Sequence, residues 1–131
     1  MSAVTYLDSS AIVKLVVEEP ESTALRAFLR RRRPIVSSAL ARTEVLRALL
    51  LEGEPGVARA RAVLGRIDLI RVNDRALSAA GVLQPPELPS LHAIHIASAQ
   101  LLAEDLGQLV TYDDRMLATA RDLGITTVSP A

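Results

Sequence analysis

Short apolar segments alternate with longer amphipathic segments along the chain, and the two patterns predict different elements. The short segments are rich in β-branched residues or alternate between apolar and polar types, as strands do. They span residues 3–7, 34–37, 67–72, 108–112 and 126–128. The longer segments repeat apolar residues at helical spacing. They predict helices over residues 11–17, 22–31, 38–52, 57–64, 75–83, 91–106 and 116–123.

Strands that alternate with helices predict an α/β fold in which a parallel sheet is covered on both faces. We expect a sheet of about four to five strands flanked by helices as an αβα sandwich. One domain over residues 1–131 is expected, since about 100–200 residues form one domain. Ligands bind such sheets at the carboxyl ends of the strands. Asp8 and Asp113 each follow a predicted strand, which places both carboxylates at this edge.

Capping and helix-breaking residues mark the predicted helix ends. Asp8, Ser9 and Ser10 supply N-cap chemistry for the first helix. The glycines within residues 53–56 are expected to end the third helix, and three prolines make residues 84–89 a loop. Later N-caps are predicted at Ser37 or Ser38, Asp74 and Ser90.

The composition narrows the classes of function. Half of the residues are hydrophobic but only 2% are aromatic, which argues against a base-stacking platform for nucleic acid. The absence of cysteine excludes disulfides and thiolate metal sites. No apolar run reaches the roughly 20 residues of a membrane helix, and the N-terminus lacks the pattern of a signal peptide. A cytoplasmic protein without a membrane segment is therefore expected.

Basic and acidic residues balance at 15 each, so the overall charge does not indicate a nucleic-acid binder. Four arginines nevertheless form one block, Arg30–Arg33. The positive charges of this block are favourable at the C-terminal end of the predicted helix 22–31, where the helix dipole is negative. Alternatively, Arg30 and Arg31 contact phosphates or an acidic partner. The sequence leaves both interpretations open.

Glu44 lies at the edge of an apolar helix face. At helical spacing it shares a row with Leu40 and Ala48, beside the apolar row that contains Val45. A carboxylate in such a place costs free energy unless it is paired or bound to a metal. A metal site and a salt bridge with an arginine both remain open for Glu44.

Hard divalent cations such as Mg²⁺ and Mn²⁺ take oxygen ligands, commonly carboxylates with water and substrate phosphate. Asp8, Glu44 and Asp113 supply such ligands, and a metal-bound water attacks phosphodiesters. The chain has no glycine-rich phosphate loop, no His-Glu zinc helix and no nucleophile elbow. A carboxylate pair also serves glycoside hydrolysis, but few aromatic residues are present to stack a sugar.

Four segments carry a family resemblance: TYLDSSA at 5–11, ARTEV at 41–45, LHAIHIASA at 91–99 and VTYDDRML at 110–117. Together they resemble the PIN domain of VapC-type toxins. The resemblance implies a single PIN-like domain and an endoribonuclease dependent on Mg²⁺ or Mn²⁺, the toxin half of a type II toxin–antitoxin pair. It also implies an RNA substrate, a VapB-like antitoxin, and a homodimer that forms a heterotetramer or larger assembly with the antitoxin.

The resemblance assigns Asp8, Glu44 and Asp113 to a metal site, with Ser10 and Thr111 as supporting hydroxyls. Two more residues extend this site, and two others are given structural roles. Arg115 is expected to contact phosphate, Asp114 is a candidate replacement for a missing charge, His95 is expected to be a hydrogen-bonded core residue, and Asp74 is interpreted as a helix cap.

The chain departs from the family pattern at His92, where similar proteins generally carry Asp. Imidazole suits Mn²⁺ or a transition metal better than Mg²⁺, so we expect a preference for Mn²⁺. Three interpretations of His92 stay open: a metal ligand, a polar group for phosphate or acid–base chemistry, or a relic in a weakened enzyme. Two functions therefore compete with the ribonuclease: a non-cleaving PIN-like module that binds RNA or antitoxin, and a small phosphatase or deoxyribonuclease.

Overall fold

The structure, a computed structural model, describes residues 3–131, and the strands in this range form one parallel sheet as predicted. The five strands are β1 (Val4–Leu7), β2 (Ile35–Ser38), β3 (Asp68–Ile70), β4 (Leu106–Val110) and β5 (Thr127–Val128). Their order across the sheet is β3-β2-β1-β4-β5, so the chain changes direction across the sheet at the central strand β1. This is the topological switch point, where sheets of this type bind ligands.

Helices connect the strands and cover both faces of the sheet, which confirms the predicted α/β sandwich. The α-helices of residues 3–131 are α1 (Ser9–Val16), α2 (Ser22–Leu29), α3 (Leu40–Ala48), α4 (Gly53–Leu64), α5 (Asp74–Gly81), α6 (Ser90–Gln100) and α7 (Asp114–Asp122). Short 3₁₀ helices at Leu50–Glu52 and Ala103–Asp105 follow α3 and α6. Within this range, no helix is both long enough and apolar enough to cross a membrane.

Strand β1 lies between two hydrophobic cores because its successive side chains point to opposite faces of the sheet. Leu7 packs with Ile12 in the core beneath α1 to α4. Tyr6 packs with Ile96 in the core beneath α6 and α7. A strand buried on both faces explains the apolar run of this segment, and Asp8 follows directly at its carboxyl end.

Residues 53–56 do not end a helix, contrary to the prediction. Helix α4 begins at Gly53, and Pro55 lies in its first turn, where the missing backbone N–H has no helical partner to lose. The break comes before Gly53, whose φ of 72° is in the region that favours glycine, after the 3₁₀ turn that follows α3. The predicted helix 38–52 is thus divided before α4 begins.

The predicted caps at Asp74 and Ser90 are each displaced by one residue. Asn73 caps α5, and its Oδ1 accepts a hydrogen bond of 2.9 Å from Ala76 N. Pro89 occupies the N-cap position of α6. Asp74 and Ser90 are instead the first residues of their helices.

The start of α3 also differs from the prediction. Ala39 occupies its N-cap position, rather than Ser37 or Ser38. Ser38 still satisfies one helical donor, because its Oγ accepts a hydrogen bond of 3.1 Å from Leu40 N.

Strand β4 is displaced by two residues from the predicted strand 108–112 because β1 sets its ends. Val4 pairs with Leu106, and Leu7, the last residue of β1, pairs with Val110. Helix α6 correspondingly ends at Gln100, well before residue 106. The consequence is that residues 111–113 lie just beyond the carboxyl edge of the sheet, beside Asp8.

Candidate functional site

Asp8 is buried at the carboxyl end of β1, with 2% of its surface exposed. Its Oδ1 accepts hydrogen bonds from Ala11 N (3.0 Å) and from the Ser10 hydroxyl (2.6 Å). Its Oδ2 accepts one from Thr111 Oγ1 (2.6 Å). Asp8, one of the three residues predicted to supply the cap, is therefore the N-cap of α1, and both of its oxygens are held in fixed positions.

Burial raises the pKa of Asp8 above its ordinary value, although hydrogen bonds from Ser10, Thr111 and Ala11 act in the opposite direction. A raised pKa means that the charged carboxylate is less favourable here than in water. A cation bound nearby would favour the charged form. The hydrogen bonds of Asp8 thus only partly offset the cost of burying its charge.

Thr111 joins the end of β4 to Asp8 and to the start of α7. Its hydroxyl donates to Asp8 and also accepts a hydrogen bond of 3.1 Å from Asp113 N. Asp113 in turn caps α7, because its Oδ1 accepts from Met116 N at 3.0 Å. A second link runs from Tyr112 N to Ser10 Oγ at 3.0 Å. The two central strand ends are therefore connected by side-chain hydrogen bonds.

His92 lies in the first turn of α6 and faces Asp113. Its Nε2 is 3.7 Å from Asp113 Oδ2, too far for a hydrogen bond. Its Nδ1 is buried and has no hydrogen-bond partner among residues 3–131. Both side chains keep about a quarter of their surface exposed, 22% for His92 and 29% for Asp113. Of the four residues predicted for the metal site, His92 is the one whose side chain makes no hydrogen bond within residues 3–131.

Glu44 of α3 pairs with a histidine, whereas the sequence left a metal and an arginine as its partners. Its Oε1 lies 2.7 Å from His95 Nε2 and accepts a hydrogen bond of 2.5 Å from Ser9 Oγ. Within the described range it forms no salt bridge with an arginine. Burial acts to raise the pKa of Glu44, but the hydrogen bonds from His95 and Ser9 outweigh it and the pKa is lowered.

His95 is a buried, hydrogen-bonded core residue, as expected, with 1% of its surface exposed. Its Nδ1 lies 2.8 Å from the hydroxyl of Tyr6. Sequence reasoning missed the roles of Tyr6 and Ser9. Both flank Asp8 in the first segment, but nothing local reveals that they contact residues on α3 and α6.

The side chains at this edge have the donor types that a hard divalent cation takes. Asp8 and Asp113 are linked through the hydroxyl of Thr111, and Glu44 accepts a hydrogen bond from Ser9, the residue after Asp8. In residues 3–131, no group of three His, Asp or Glu side chains is already arranged to hold one ion. The chemistry of the donor set fits a metal, and these positions define no coordination geometry.

The remaining predicted residues fall at opposite edges of the sheet. Asp114 and Arg115 are exposed in the first turn of α7, on the same edge as Asp113. Arg30 and Arg31 are exposed between the end of α2 and the start of β2, at the amino edge. The structure therefore does not bring Arg30 and Arg31 together with the carboxylates.

Comparisons with known proteins identify the family of the chain. The family model of the PIN domain matches residues 5–122. Ribonuclease VapC46 of Mycobacterium tuberculosis is 57% identical over 129 residues, which make up 98% of this chain and 99% of that protein. Ribonuclease VapC47 of the same species is 37% identical over 130 residues, which make up 95% and 96% of the two chains.

Two solved structures share the fold. One, a toxin–antitoxin complex from Klebsiella pneumoniae, has a TM-score of 0.74 at 20% identity and covers 97% of this chain and 98% of its own. The other, the sarcin–ricin loop cleaving toxin VapC20 of M. tuberculosis, has a TM-score of 0.76 at 15% identity and covers 96% and 99%. The family match over residues 5–122 and the 57% identity with ribonuclease VapC46 show that the chain belongs to the PIN domain family, in its VapC group.

Proposed function

We propose that this chain is a metal-dependent endoribonuclease toxin that cleaves RNA by attack of a metal-activated water on a phosphodiester. The observation that carries the proposal is the junction at the switch point, where Asp8 and Asp113 follow adjacent central strands and are joined through Thr111. A relative that matches nearly the whole chain at 57% identity is named a ribonuclease.

Asp8, Glu44, Asp113 and His92 would hold Mg²⁺ or Mn²⁺ in this proposal. When bound, the cation lowers the pKa of a water and stabilises negative charge on the phosphate. The chain's own residues keep the ligands in place: Ser10 and Thr111 hold Asp8, and the imidazole of His92 favours Mn²⁺ over Mg²⁺. Asp114, exposed beside Asp113, is a supporting acid.

Arg115 is proposed to contact the phosphate of the RNA substrate, since it lies in the first turn of α7 directly after Asp113 and Asp114. Arg30 and Arg31 lie at the amino edge. In this proposal they contact phosphates outside the cleavage site or an acidic partner, rather than the scissile phosphate.

The proposed partners are RNA and a VapB-like antitoxin that neutralises the toxin in the cytoplasm. The chain would act as a homodimer, which forms a heterotetramer or larger assembly with the antitoxin. Its similarity in fold to the toxin chain of a toxin–antitoxin complex is consistent with this role.

A cleavage assay tests the function. A pool of randomised RNA oligonucleotides is incubated with the chain in chelator, in Mg²⁺ and in Mn²⁺, beside DNA of the same composition. We expect cleavage of RNA only with metal. Asp8→Asn should lower the rate more than about 100-fold, since even residues that only support metal ligands contribute about 10- to 100-fold.

Asp68→Asn is the matched control, because Asp68 is an exposed aspartate on β3 of the same sheet. It should cleave at the unchanged rate. An Asp8→Asn variant that still cleaves, or cleavage that persists in chelator, contradicts the proposal. Preferential cleavage of DNA would favour the deoxyribonuclease instead.

The second candidate is a PIN-like module that binds RNA or antitoxin with weakened catalysis. Two features of His92 support weakened catalysis: its Nε2 is 3.7 Å from Asp113 Oδ2, and its buried Nδ1 has no partner among residues 3–131. The module predicts that the natural chain binds RNA but hardly cleaves it, and that His92→Asp cleaves far faster.

A further inference from the structure

A buried pair of side chains, Tyr6 and His95, lies behind Glu44 on the side away from solvent. Tyr6 is fully buried and His95 is 1% exposed. Their rings meet edge to face, with centroids 5.9 Å apart and an angle of 81° between the planes. Packing therefore fixes the imidazole ring independently of its hydrogen bonds.

The two ring nitrogens of His95 have different partners. Glu44 Oε1 lies 2.7 Å from Nε2, and a carboxylate only accepts, so Nε2 carries the hydrogen of this contact. Nδ1 lies 2.8 Å from the Tyr6 hydroxyl, and this pairing matches the tautomer with hydrogen on Nε2 when the hydroxyl donates to Nδ1. A ring with the reverse tautomer would present a lone pair to the carboxylate.

Only one oxygen of Glu44 is held in this way. Oε1 accepts from both His95 and Ser9, whereas Oε2 accepts no hydrogen bond from residues 3–131. The Glu44 side chain keeps 20% of its surface exposed. One oxygen is thus fixed from the protein interior and the other is left for a ligand.

We propose that Tyr6 and His95 are positioning residues that orient Glu44 for the divalent cation of the ribonuclease. The inference rests on the proposed function, which makes Glu44 a metal ligand. Carboxylates that bind metals are commonly held by hydrogen bonds from a surrounding layer of residues, and loss of that layer costs about 10- to 100-fold in affinity.

The same contacts argue against a nucleophilic role for Ser9. A Ser-His-acid triad needs the serine at one imidazole nitrogen and the acid at the other. Here Ser9 and Glu44 both approach Nε2, at 3.3 and 2.7 Å, while Tyr6 occupies Nδ1. The Ser9 hydroxyl also donates a hydrogen bond to Glu44 Oε1. The cluster is built to hold Glu44.

The first test measures binding of Mn²⁺ alone to the full chain by calorimetry. Tyr6→Phe removes one hydroxyl and should weaken Mn²⁺ binding about tenfold. His95→Leu should weaken it at least as much, and His95→Gln should recover part of the loss because its amide N–H replaces Nε2–H. Tyr112→Phe is the matched control: its hydroxyl donates to Pro130 O, and it should bind Mn²⁺ with unchanged affinity.

The second test needs neither metal nor activity. Nitrogen NMR of the ring of His95, one of two histidines in the chain, should show the Nε2–H tautomer in the metal-free protein. Tyr6→Phe should shift the Nδ1 resonance, which loses its partner, and Tyr112→Phe should leave both ring resonances unchanged. The melting temperature of each variant separates loss of folding from loss of orientation.

Glu44→Gln distinguishes failure of this inference from failure of the proposed function. If Glu44→Gln weakens Mn²⁺ binding but Tyr6→Phe and His95→Gln do not, the positioning role is wrong and the metal site stands. If Glu44→Gln leaves binding unchanged, both the ligand role of Glu44 and the positioning role are wrong. If Mn²⁺ binds as described but the wild-type chain does not cleave RNA, the ribonuclease proposal fails while the binding data still support the positioning role.

Discussion

Two corners of the carboxyl edge differ sharply in how they are held. In the Asp8 corner, made of Asp8, Ser10 and Thr111, Asp8 and Thr111 are buried, and both carboxylate oxygens accept hydrogen bonds of 3.0 Å or less. The His92 corner, made of His92 and Asp113, is partly exposed. Its closest charged contact is 3.7 Å, and one buried nitrogen has no partner within residues 3–131.

The difference shows that the fold determines one corner and leaves the other adjustable. Asp8 lies at the end of the central strand, where two parallel neighbours and the start of α1 surround it. His92 lies in the first turn of α6, where Ser90 and Leu91 are exposed. A substitution at residue 92 therefore disturbs few contacts, whereas a change in the Asp8 corner disturbs several.

The largest effect on stability is expected within the Asp8 corner, from Thr111→Val. This change keeps the side-chain shape but removes the donor to Asp8 and the acceptor for Asp113 N. Leaving a buried carboxylate oxygen unpaired should cost about 1–3 kcal/mol of unfolding free energy. Urea unfolding measures it. Thr43→Val, at an exposed position on α3, is the control, and its free energy of unfolding should change little. Equal losses in the two variants would contradict the role of the Thr111 hydroxyl.

His92→Asp should have a smaller effect, seen in metal preference. An added negative charge close to a divalent cation is worth on the order of 1 kcal/mol or more. We therefore expect the ratio of Mg²⁺-supported to Mn²⁺-supported cleavage to rise about tenfold. His92→Asn removes the imidazole without adding charge and should not raise this ratio. A wild-type chain that responds to Mg²⁺ as well as to Mn²⁺ would overturn the expected preference.

The smallest effect concerns pH and compares Asp8 with Glu44 in chelator. The folded-state pKa of Asp8 is raised, so its stabilising contribution is complete below its ordinary value of 3.8 and is lost as the pH rises through the folded value. The pKa of Glu44 is lowered, so its contribution is present above 4.5 and is lost as the pH falls through the folded value.

Unfolding experiments from roughly pH 3 to 7, a range that brackets ordinary carboxyl pKa values, should therefore give opposite trends for the two variants. Relative to wild type, Asp8→Asn should gain stability as the pH rises above 3.8. Glu44→Gln should lose stability at neutral pH, and its deficit should shrink below 4.5. Trends of the same sign would show that the two carboxylates are not in the different environments described here.

Much of the fold was predictable because the spacing of apolar residues within each segment indicates a strand or a helix. The alternation of short apolar and amphipathic segments predicted the parallel sheet, and residues 8–10 were correctly predicted to contain the cap of α1. The boundaries of β4 and the caps near Asp74 and Ser90 were wrong by one or two residues. Strand pairing sets the ends of β4, and the start of a helix depends on where the preceding chain enters it.

The sequence by itself determined that Asp8 and Asp113 share one edge, since the carboxyl ends of parallel strands always meet there. It did not determine the partners of Glu44. The contacts from His95 to Glu44 and to Tyr6 span 51 and 89 residues of sequence. Only the packing of α3 and α6 around β1 brings these side chains together, because side-chain partners at such separations depend on tertiary structure and not on local periodicity.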